Sequence, residues 1–202
     1  MTAGPSYREL LEGHVTGAAL DRLVRYAELV ELWSARHNLV RFRDRRELVE
    51  RHLVDSLAGL RLLGDRGLLL DVGSGAGLPG VPLLAARPSW RGVLLEPRQK
   101  RWAFLRLVIR ELGLDARAVD RRLEELMDEG PFDLVISRAV GGHRELLDWA
   151  AAGRLAAGGG VALWTTVDGE AAMVGAAGWR VVSWPLVGLD RGRLVLARPC
   201  ST

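Results

Sequence analysis

Cysteine and lysine are almost absent from this chain of 202 residues. Its single cysteine, Cys200, excludes an internal disulfide and is typical of proteins in a reducing cytosol. One cysteine and four scattered histidines provide no spacing for a metal site. The start of the chain lacks a signal-peptide pattern, and no apolar run is long enough to cross a bilayer. These absences predict a soluble, cytoplasmic protein with no metal and no membrane partner.

Apolar residues are plentiful, and 49% of the chain is hydrophobic, which is enough for a globular core. The length fits one domain with a small extension. We predict a helical N-terminal cap over residues 1–64 and a compact α/β core over residues 65–202. The cap contains a helix around residues 20–30 and a second from Asp44 to about Leu63, because apolar side chains recur there at helical spacing.

From Leu68 onward, short apolar runs alternate with amphipathic stretches, which predicts a mostly parallel sheet with helices on both faces. Strands are predicted at 67–72, 92–96, 116–119, 132–137, 160–165, 179–184 and 193–198. Helices are predicted at 79–87, 98–113, 143–156 and 168–177. Residues 187–192 are too few for a crossover helix, so the last two strands should form an antiparallel hairpin. The glycines at 158–160 are predicted to form a turn before a strand.

The segment from Leu68 to Pro82, LLLDVGSGAGLPGVP, carries the strongest functional signal. A buried strand ends at Asp71 and breaks into closely spaced glycines, and Pro79 fits the first turn of a following helix. Glycines permit positive φ angles and place no Cβ between the backbone and a ligand. A strand, a glycine loop and a helix in this order predict a site for a nucleotide-like cofactor.

Ligands of such sheets bind at the carboxyl ends of the strands. The sequence places there the glycine loop, Glu96, Arg122 to Glu124, and Ser137 to Ala139. An acid in the position of Glu96 accepts hydrogen bonds from ribose hydroxyls, both in dinucleotide sites and in S-adenosylmethionine sites. S-adenosylmethionine is favoured over NAD because Asp71 precedes a GSGAG loop and because the chain ends in an apparent hairpin. An NAD-dependent oxidoreductase and a module that only binds the cofactor remain alternatives.

Methyl transfer from a sulfonium requires alignment of the reacting atoms and exclusion of water, but no array of catalytic side chains. The fourth strand ends in Ser137, Arg138 and Ala139, not in the Asn/Asp-Pro-Pro-aromatic motif that suits exocyclic amino groups. Its absence disfavours methylation of the adenine N6 or cytosine N4 atom. A ring nitrogen with a free lone pair, such as guanine N7, needs no deprotonation and fits such a site.

The basic residues are almost entirely arginine, and Lys100 is the only lysine. The net charge is +3 and the calculated isoelectric point is about 9.7. Two basic clusters stand out: Arg41, Arg43, Arg45, Arg46 and Arg51, and then Arg98, Lys100, Arg101, Arg106 and Arg110. Composition alone favours an arginine-biased solvated surface, whereas the position of both clusters beside the predicted site favours contact with an RNA backbone.

Five motifs resemble those of the bacterial small-subunit rRNA guanine-N7 methyltransferases. They are, in chain order, His37 to Leu39 with Arg43 and Asp44; Arg51 to Ser56 (RHLVDS); Asp71 to Leu83 (DVGSGAGLPGVPL); Leu94 to Glu96 with Lys100, Arg101, Phe104 and Leu105; and Arg122 to Glu124 followed by Ser137 to Ala139. The LPG after the third glycine is more specific than the glycines themselves. The likeness runs through most of the chain.

The resemblance implies a class I S-adenosylmethionine-dependent methyltransferase, with a Rossmann-like, seven-stranded sheet whose last strand is antiparallel. It implies S-adenosylmethionine as the cofactor and a guanine N7 in 16S rRNA as the acceptor, so the expected partner is 16S rRNA or a 30S-type ribosomal particle. A monomer is expected. The implied cofactor-binding residues are Asp71, Gly73, Ser74, Gly75, Gly77, Leu78, Glu96, Leu123, Glu124 and Arg138.

No residue is predicted with certainty to be catalytic. The candidates at the acceptor side are Asn38, His52, Asp55 and Arg138, together with Arg51. Arg138 is expected at the junction of cofactor and acceptor. A different role is equally open for Arg51 and Asp55, namely a salt bridge that fixes the cap to the sheet.

The chain departs from the family pattern after the fifth strand. The family's Leu-Lys-Gly segment is replaced by Ala162 to Thr165, with Trp164 and Thr165 in place of lysine and glycine. The threonine of the family's Asn-Leu-Thr is Val40, and its histidine before the last strand is Arg193 or absent. Since such a lysine could contact RNA, its absence leaves open a paralogue that methylates a small-molecule acceptor in a biosynthetic pathway.

Overall fold

The computed structural model describes residues 4–127, 129–138 and 142–200. Within them, seven strands form one sheet in the order β3-β2-β1-β4-β5-β7-β6. The strands are β1 Gly67–Val72, β2 Trp90–Leu95, β3 Ala116–Val119, β4 Phe132–Arg138, β5 Leu155–Thr166, β6 Trp179–Pro185 and β7 Gly192–Pro199. Strands β1 to β5 pair in parallel, and β7 pairs antiparallel with both β5 and β6. The predicted sheet and its closing hairpin are confirmed.

Eight α-helices accompany these strands in the described part of the chain. They are α1 Tyr7–Leu11, α2 Gly17–His37, α3 Arg45–Leu48, α4 Asp55–Leu57, α5 Gly80–Ala86, α6 Gln99–Leu112, α7 His143–Ala151 and α8 Val167–Met173. A π-helix, Val49–Val54, connects α3 to α4, and a 3-10 helix, Ala58–Leu62, follows α4. The predicted helix from Asp44 to Leu63 is therefore continuous but changes its helix type three times. Its start is fixed by Asp44, whose side chain accepts from the Glu47 N–H.

The apolar side chains of the central strands alternate between two hydrophobic clusters. Leu69 and Leu94 face the cluster that includes α2, α5, α6 and the helices of residues 45–62. Leu70 and Val93 face the cluster that includes α7 and α8. Successive residues of a strand point to opposite faces, so both faces of the sheet are covered. The division at residue 64 stays a prediction, because the helices before it share one hydrophobic cluster with the sheet.

Several boundaries differ from the predictions. Strand β5 begins at Leu155, so the glycines predicted to form a turn at 158–160 lie within the strand. The register against β4 shifts there, since Phe132 pairs with Leu155 and Leu134 pairs with Gly160. Gly158 has a φ of 78°, which lets the strand bulge without breaking. Helix α7 ends before residue 156 and α8 before residue 177. In the described ranges, no helix combines the length and apolarity needed to span a bilayer.

Candidate functional site

The loop between β1 and α5 is a tight turn that favours glycine at several positions. Gly73, Gly75 and Gly77 have φ angles of 70°, 58° and 94°. The Gly77 N–H donates to the Ser74 carbonyl at 2.7 Å, which closes the turn. A Cβ on Gly77 would lie 2.5 Å from a Val81 methyl, so close packing of the loop on α5 also excludes a side chain. The glycine pattern therefore reflects backbone geometry.

Asp71 and Ser74 hold this loop from within. Asp71 is fully buried, and its Oδ2 accepts from the Gly80 N–H at 3.1 Å, while its Oδ1 has no hydrogen-bond partner among the described residues. Burial raises the pKa of Asp71 from 3.8 to about 7. The Ser74 hydroxyl donates to the Asp71 carbonyl at 2.8 Å, and the Ser74 N–H donates to the Leu95 carbonyl at 3.0 Å. These two residues bind the loop to β1, β2 and the start of α5.

Glu96 lies immediately after β2 and is 3% exposed. Its Oε2 accepts from the Gly75 N–H at 3.1 Å, and its Oε1 accepts from the Arg98 N–H at 2.9 Å. The Arg101 guanidinium is 3.9 Å from Oε2. An ionised carboxylate offers about four acceptor positions, so each oxygen keeps one for a ligand. The prediction placed Glu96 at a strand end, and the structure adds that its carboxylate is oriented by the glycine loop.

A cavity of about 680 Å³ opens beside this loop. Its lining residues are Leu39, Val40, His52, Gly73, Ser74, Gly75, Ala76, Leu78, Glu96, Pro97, Arg98, Arg101, Arg122 and Arg138. An adjoining cavity of about 360 Å³ shares Gly73, Pro97 and Arg122 with it. The smaller cavity is more apolar, with Val72, Leu95 and Leu146 in its wall, and both Leu123 and Glu124 line it. Together they form one cleft at the carboxyl ends of β1, β2 and β4.

Tyr26 of α2 is a residue of this site that the sequence did not reveal. Its side chain is fully buried, and its hydroxyl donates to the Ala76 carbonyl of the glycine loop at 2.7 Å. Burial raises the pKa of the Tyr26 phenol, so the hydroxyl remains a donor. The sequence signal that could have identified it is a tyrosine on the apolar face of a predicted helix, because a buried phenol usually has a hydrogen-bond partner. The cap helix thus contacts the loop directly.

Arg138 connects the end of β4 to the cap. Its guanidinium donates to the Arg51 carbonyl at 2.8 Å and to the His52 carbonyl at 3.4 Å, and it lies 3.8 Å from Asp55 Oδ2. Asp55 Oδ1 accepts from the Gly188 N–H of the β6–β7 hairpin at 3.3 Å. The salt bridge proposed between Asp55 and Arg51 is wrong, because Asp55 pairs with Arg138. The cap is nevertheless fixed to the sheet through Asp55.

Burial dominates the titration of both residues beside Arg138. It raises the pKa of Asp55, although the Arg138 charge acts in the opposite direction. It also lowers the pKa of His52 to about 4, and the positive charge of Arg138 lowers it further. The imidazole is therefore neutral at physiological pH. His52 and Arg138 line the larger cavity, whereas Asp55 lies behind them and does not belong to its wall.

Trp164 occupies the position where the sequence departs from the family pattern. It is buried in β5, directly beside Arg138 in the register of the sheet. Its Nε1 donates to the Asp55 carbonyl at 2.7 Å, and its ring packs so closely on Gly59 that a Cβ there would lie 2.6 Å from it. Trp164 does not line the cleft. It holds the segment 55–59 against the sheet.

The remaining predicted residues divide into two groups. Gly75, Leu78, Leu123 and Glu124 line the cleft. Asn38 does not: it ends α2 with a φ of 49° and a ψ of 46°, and it lies in a separate surface depression, while Leu39 and Val40 reach the cleft wall. Its role at the acceptor side therefore stays a prediction. Ala139 of the predicted Ser-Arg-Ala motif lies outside the described residues.

The two basic clusters differ in how many of their arginines have acidic partners. In the cap cluster, four arginines have acidic partners: Arg43 and Arg51 pair with Glu47, Arg45 with Glu31, and Arg46 with Glu50. In the α6 cluster, Arg98 has no acidic partner among the described residues, and it lines the cleft together with Arg101, Arg122 and Arg138. The cleft is thus surrounded by arginines, and Glu96 is the one carboxylate in the wall of its larger cavity. Nowhere in the described ranges do three or more His, Cys, Asp or Glu side chains gather to hold a metal ion.

Comparison with known proteins identifies a family. Residues 19–167 match the sequence model of the GidB family, described as rRNA small subunit methyltransferase G. The protein of that name from Nitrosomonas europaea is 43% identical over 125 residues, which cover 61% of this chain and 58% of the relative. The one from Yersinia pestis is 42% identical over 130 residues, covering 63% and 62%. The chain thus spans about 60% of the length of these relatives.

Solved structures share the fold at low sequence identity. Cofactor-bound Rv0187 from MTB has a TM-score of 0.63 at 18% identity and covers 98% of both chains. Precorrin-6y C5,15-methyltransferase from Geobacter metallireducens has a TM-score of 0.60 at 20% identity, covering 81% of this chain and 92% of its own. A SAM-dependent O-methyltransferase from Thermotoga maritima has a TM-score of 0.62 at 16% identity, with 86% and 72% covered. The predicted class I methyltransferase fold is confirmed.

Proposed function

Because this chain belongs to the rRNA small subunit methyltransferase G family, we propose that it transfers a methyl group from S-adenosylmethionine to N7 of a guanine in 16S rRNA. The observation that carries the proposal is the cleft, in which a glycine loop and a buried acid adjoin a rim of arginines. A 30S-type ribosomal particle as substrate, a cytoplasmic location and a monomeric state belong to the same proposal.

The residues of the cleft fit the cofactor. Glu96 keeps an acceptor position on each oxygen for a ribose hydroxyl, while Gly75 and Arg98 fix its orientation. A Cβ on Gly75 would meet nothing nearer than the Arg101 guanidinium at 3.7 Å and the Gly73 carbonyl at 3.8 Å, so the glycine leaves its part of the cleft open. The more apolar adjoining cavity suits the adenine, with Leu123 in its wall and Glu124 beside it. We assign the ribose to Glu96 and the methionine part to the backbone of residues 73–77.

The arginines around the cleft favour a polyanionic acceptor. S-adenosylmethionine carries more positive than negative charge, so it does not account for Arg98, Arg101, Arg122 and Arg138 around one cleft. Arginine pairs with phosphate through two parallel N–H donors, which suits an RNA backbone. Arg138 is bound to the cap and Arg101 lies near Glu96, which leaves Arg98 and Arg122 to contact phosphate.

This reaction requires little catalytic chemistry from the protein's side chains. The bound cofactor supplies a methyl group on a sulfonium, which carries its own leaving group. Guanine N7 has a free lone pair, so no side chain needs to remove a proton. Neutral His52 adds no further positive charge to a cleft wall that already carries four arginines. The buried loop and the cap provide alignment and exclude water.

The test has two parts. In the first, calorimetry measures binding of S-adenosylmethionine to the native protein, to Glu96→Gln and to the control Asp120→Asn. The Glu96 variant should lose at least about tenfold in affinity, because an amide cannot accept hydrogen bonds through both ends. Asp120 is exposed and, among the described residues, its side chain accepts from Gln99 alone, so its substitution should leave the affinity unchanged. Equal affinities for all three proteins would remove Glu96 from the site.

The second part examines the acceptor. Mass spectrometry of digested rRNA, from cells with and without this gene, should show one N7-methylguanine that depends on the gene. RNA affinity should fall steeply with salt, and the slope should decrease by about 2 in Arg98→Gln/Arg122→Gln but not in Arg46→Gln, whose partner is Glu50. A protein that binds the cofactor but leaves ribosomal particles unmodified would favour the small-molecule acceptor, which the loss of the family's lysine at Trp164 leaves open.

A further inference from the structure

A second cavity lies at the opposite end of the sheet from the glycine loop. It has a volume of about 560 Å³ and opens between the end of α7, the first residues of β5 and the β6–β7 pair. Its wall contains small residues, among them Ala151, Gly153 and Gly158, and two arginines, Arg180 and Arg198. The cleft opens at the carboxyl ends of β1, β2 and β4, whereas this cavity opens where β5 begins. The two sites are therefore separate.

Arg180 and Arg198 are directly opposite each other in the antiparallel pair of β6 and β7. Residues in such a position point to the same face of a sheet, with Cβ atoms about 4.5–5.5 Å apart, and like charges there destabilise the pair. No carboxylate is present among the residues that line this cavity. Neither arginine has an acidic partner within the described ranges. Two guanidinium groups therefore face one cavity, and no carboxylate among the described residues compensates them.

The neighbouring arginines of the same hairpin, unlike Arg180 and Arg198, have acidic partners among the described residues. Arg191 pairs with Asp168 at 2.9 Å, and Arg193 pairs with Glu170 at 3.2 Å, so the neighbouring arginines are neutralised by α8. The carboxyl end of α7 contributes only about half a negative charge. That charge is smaller than the two positive charges of Arg180 and Arg198. The described residues around the cavity therefore carry an excess of positive charge.

We propose that Arg180 and Arg198 form a phosphate-binding site, separate from the cofactor cleft. Two guanidinium groups side by side supply the parallel N–H donors that phosphate oxygens accept. Gly158 lies in the wall with a φ of 78° and open space where a Cβ would be, so the backbone leaves room for the ligand. The phosphate comes either from an RNA backbone or from a small phosphorylated molecule. The proposal does not depend on the reaction assigned to the cleft.

The reactivity of Cys200 toward charged thiol reagents reports the electrostatic potential in this cavity. It is exposed, it lines the cavity, and it is the only cysteine in the chain, so thiol reagents label a single position. We would compare the labelling rates of an anionic and a cationic methanethiosulfonate, each normalised to its rate with free glutathione. The native protein should favour the anionic reagent on the order of tenfold. The preference should disappear in Arg180→Gln/Arg198→Gln and persist in Arg191→Gln.

Ligand protection then identifies the source of the phosphate. Labelling of Cys200 is followed with added inorganic phosphate and with a single-stranded RNA oligonucleotide, at constant ionic strength. Protection by RNA alone assigns an RNA backbone, and protection by inorganic phosphate assigns a small phosphorylated ligand. In both cases the double variant should lose the protection. The proposal is overturned if the native protein shows no charge preference, or if neither ligand protects Cys200. S-adenosylmethionine binding would remain intact in that event.

Discussion

The hydrogen bond from Tyr26 to the glycine loop offers a sharp test of how the cap supports the cleft. In Tyr26→Phe the ring is kept and only the hydroxyl is lost. The Ala76 carbonyl, 2.7 Å from that hydroxyl, has no other donor among the described residues. The variant therefore loses one buried hydrogen bond and leaves its acceptor unsatisfied, which together costs about 1–3 kcal/mol of unfolding free energy.

Two measurements should register this loss. For a chain of this length, the melting temperature should fall by about 2–12 °C. The affinity for S-adenosylmethionine should also fall, on the order of tenfold, because the loosened loop must be ordered again when the cofactor binds. Calorimetry measures both quantities on the same preparation.

Tyr7→Phe is the matched control. The Tyr7 hydroxyl is also buried, but it lies beside Glu31 and Arg45 and not at the glycine loop, so its removal should leave the cofactor affinity unchanged. If Tyr26→Phe loses stability but keeps full cofactor affinity, the loop does not depend on the cap. If it loses neither, the reasoning about the buried bond is wrong.

Substitutions at three further positions test other parts of the structure. Asp71 has a pKa of about 7 in the folded protein, against 3.8 in the unfolded chain, so the native protein loses stability as the pH rises between these values. Asp71→Asn stays neutral and should therefore exceed the native protein in unfolding free energy by about 1–4 kcal/mol at pH 8 and by little at pH 4. Urea unfolding at the two pH values measures the difference. Trp164→Phe should lose about 1–3 kcal/mol in the same assay through the missing bond to Asp55, and an altered cofactor affinity without loss of stability would contradict the role we assign to it. Asn38→Gly should retain stability because glycine accepts its φ of 49°, whereas Asn38→Ala should lose about 1 kcal/mol; reduced RNA methylation by the stable glycine variant would instead place Asn38 at the acceptor.

The strands were predictable because their side chains obey a local rule. In FDLVISR, residues 132–138, the consecutive residues Leu134 to Ile136 are all apolar and buried, as expected for a strand covered on both faces. The hairpin could be predicted from the short connection before β7, and Glu96 from its position after an apolar run. The glycine loop was predictable because its glycines reflect φ angles that other residues adopt rarely.

The features that the sequence did not reveal depend on partners far along the chain. Arg138 contacts the carbonyl of Arg51, 87 positions earlier, and no local pattern specifies that pairing. The π-helix at 49–54 has the same apolar spacing as an α-helix, so periodicity could not distinguish them. The sequence shows the cap arginines without their partners and so predicts a polyanion surface, whereas in the structure Glu47 alone binds both Arg43 and Arg51.

The contacts that fix Asp55 have a consequence for the order of events during synthesis. Its carbonyl is bound by Trp164, 109 residues later, and its carboxylate by Gly188, 133 residues later. The first quarter of the polypeptide therefore leaves the ribosome long before the residues that secure it exist. Until the last hairpin emerges, the Asp55 carboxylate lacks the Gly188 N–H, and a chaperone would then find the most unassembled surface to bind.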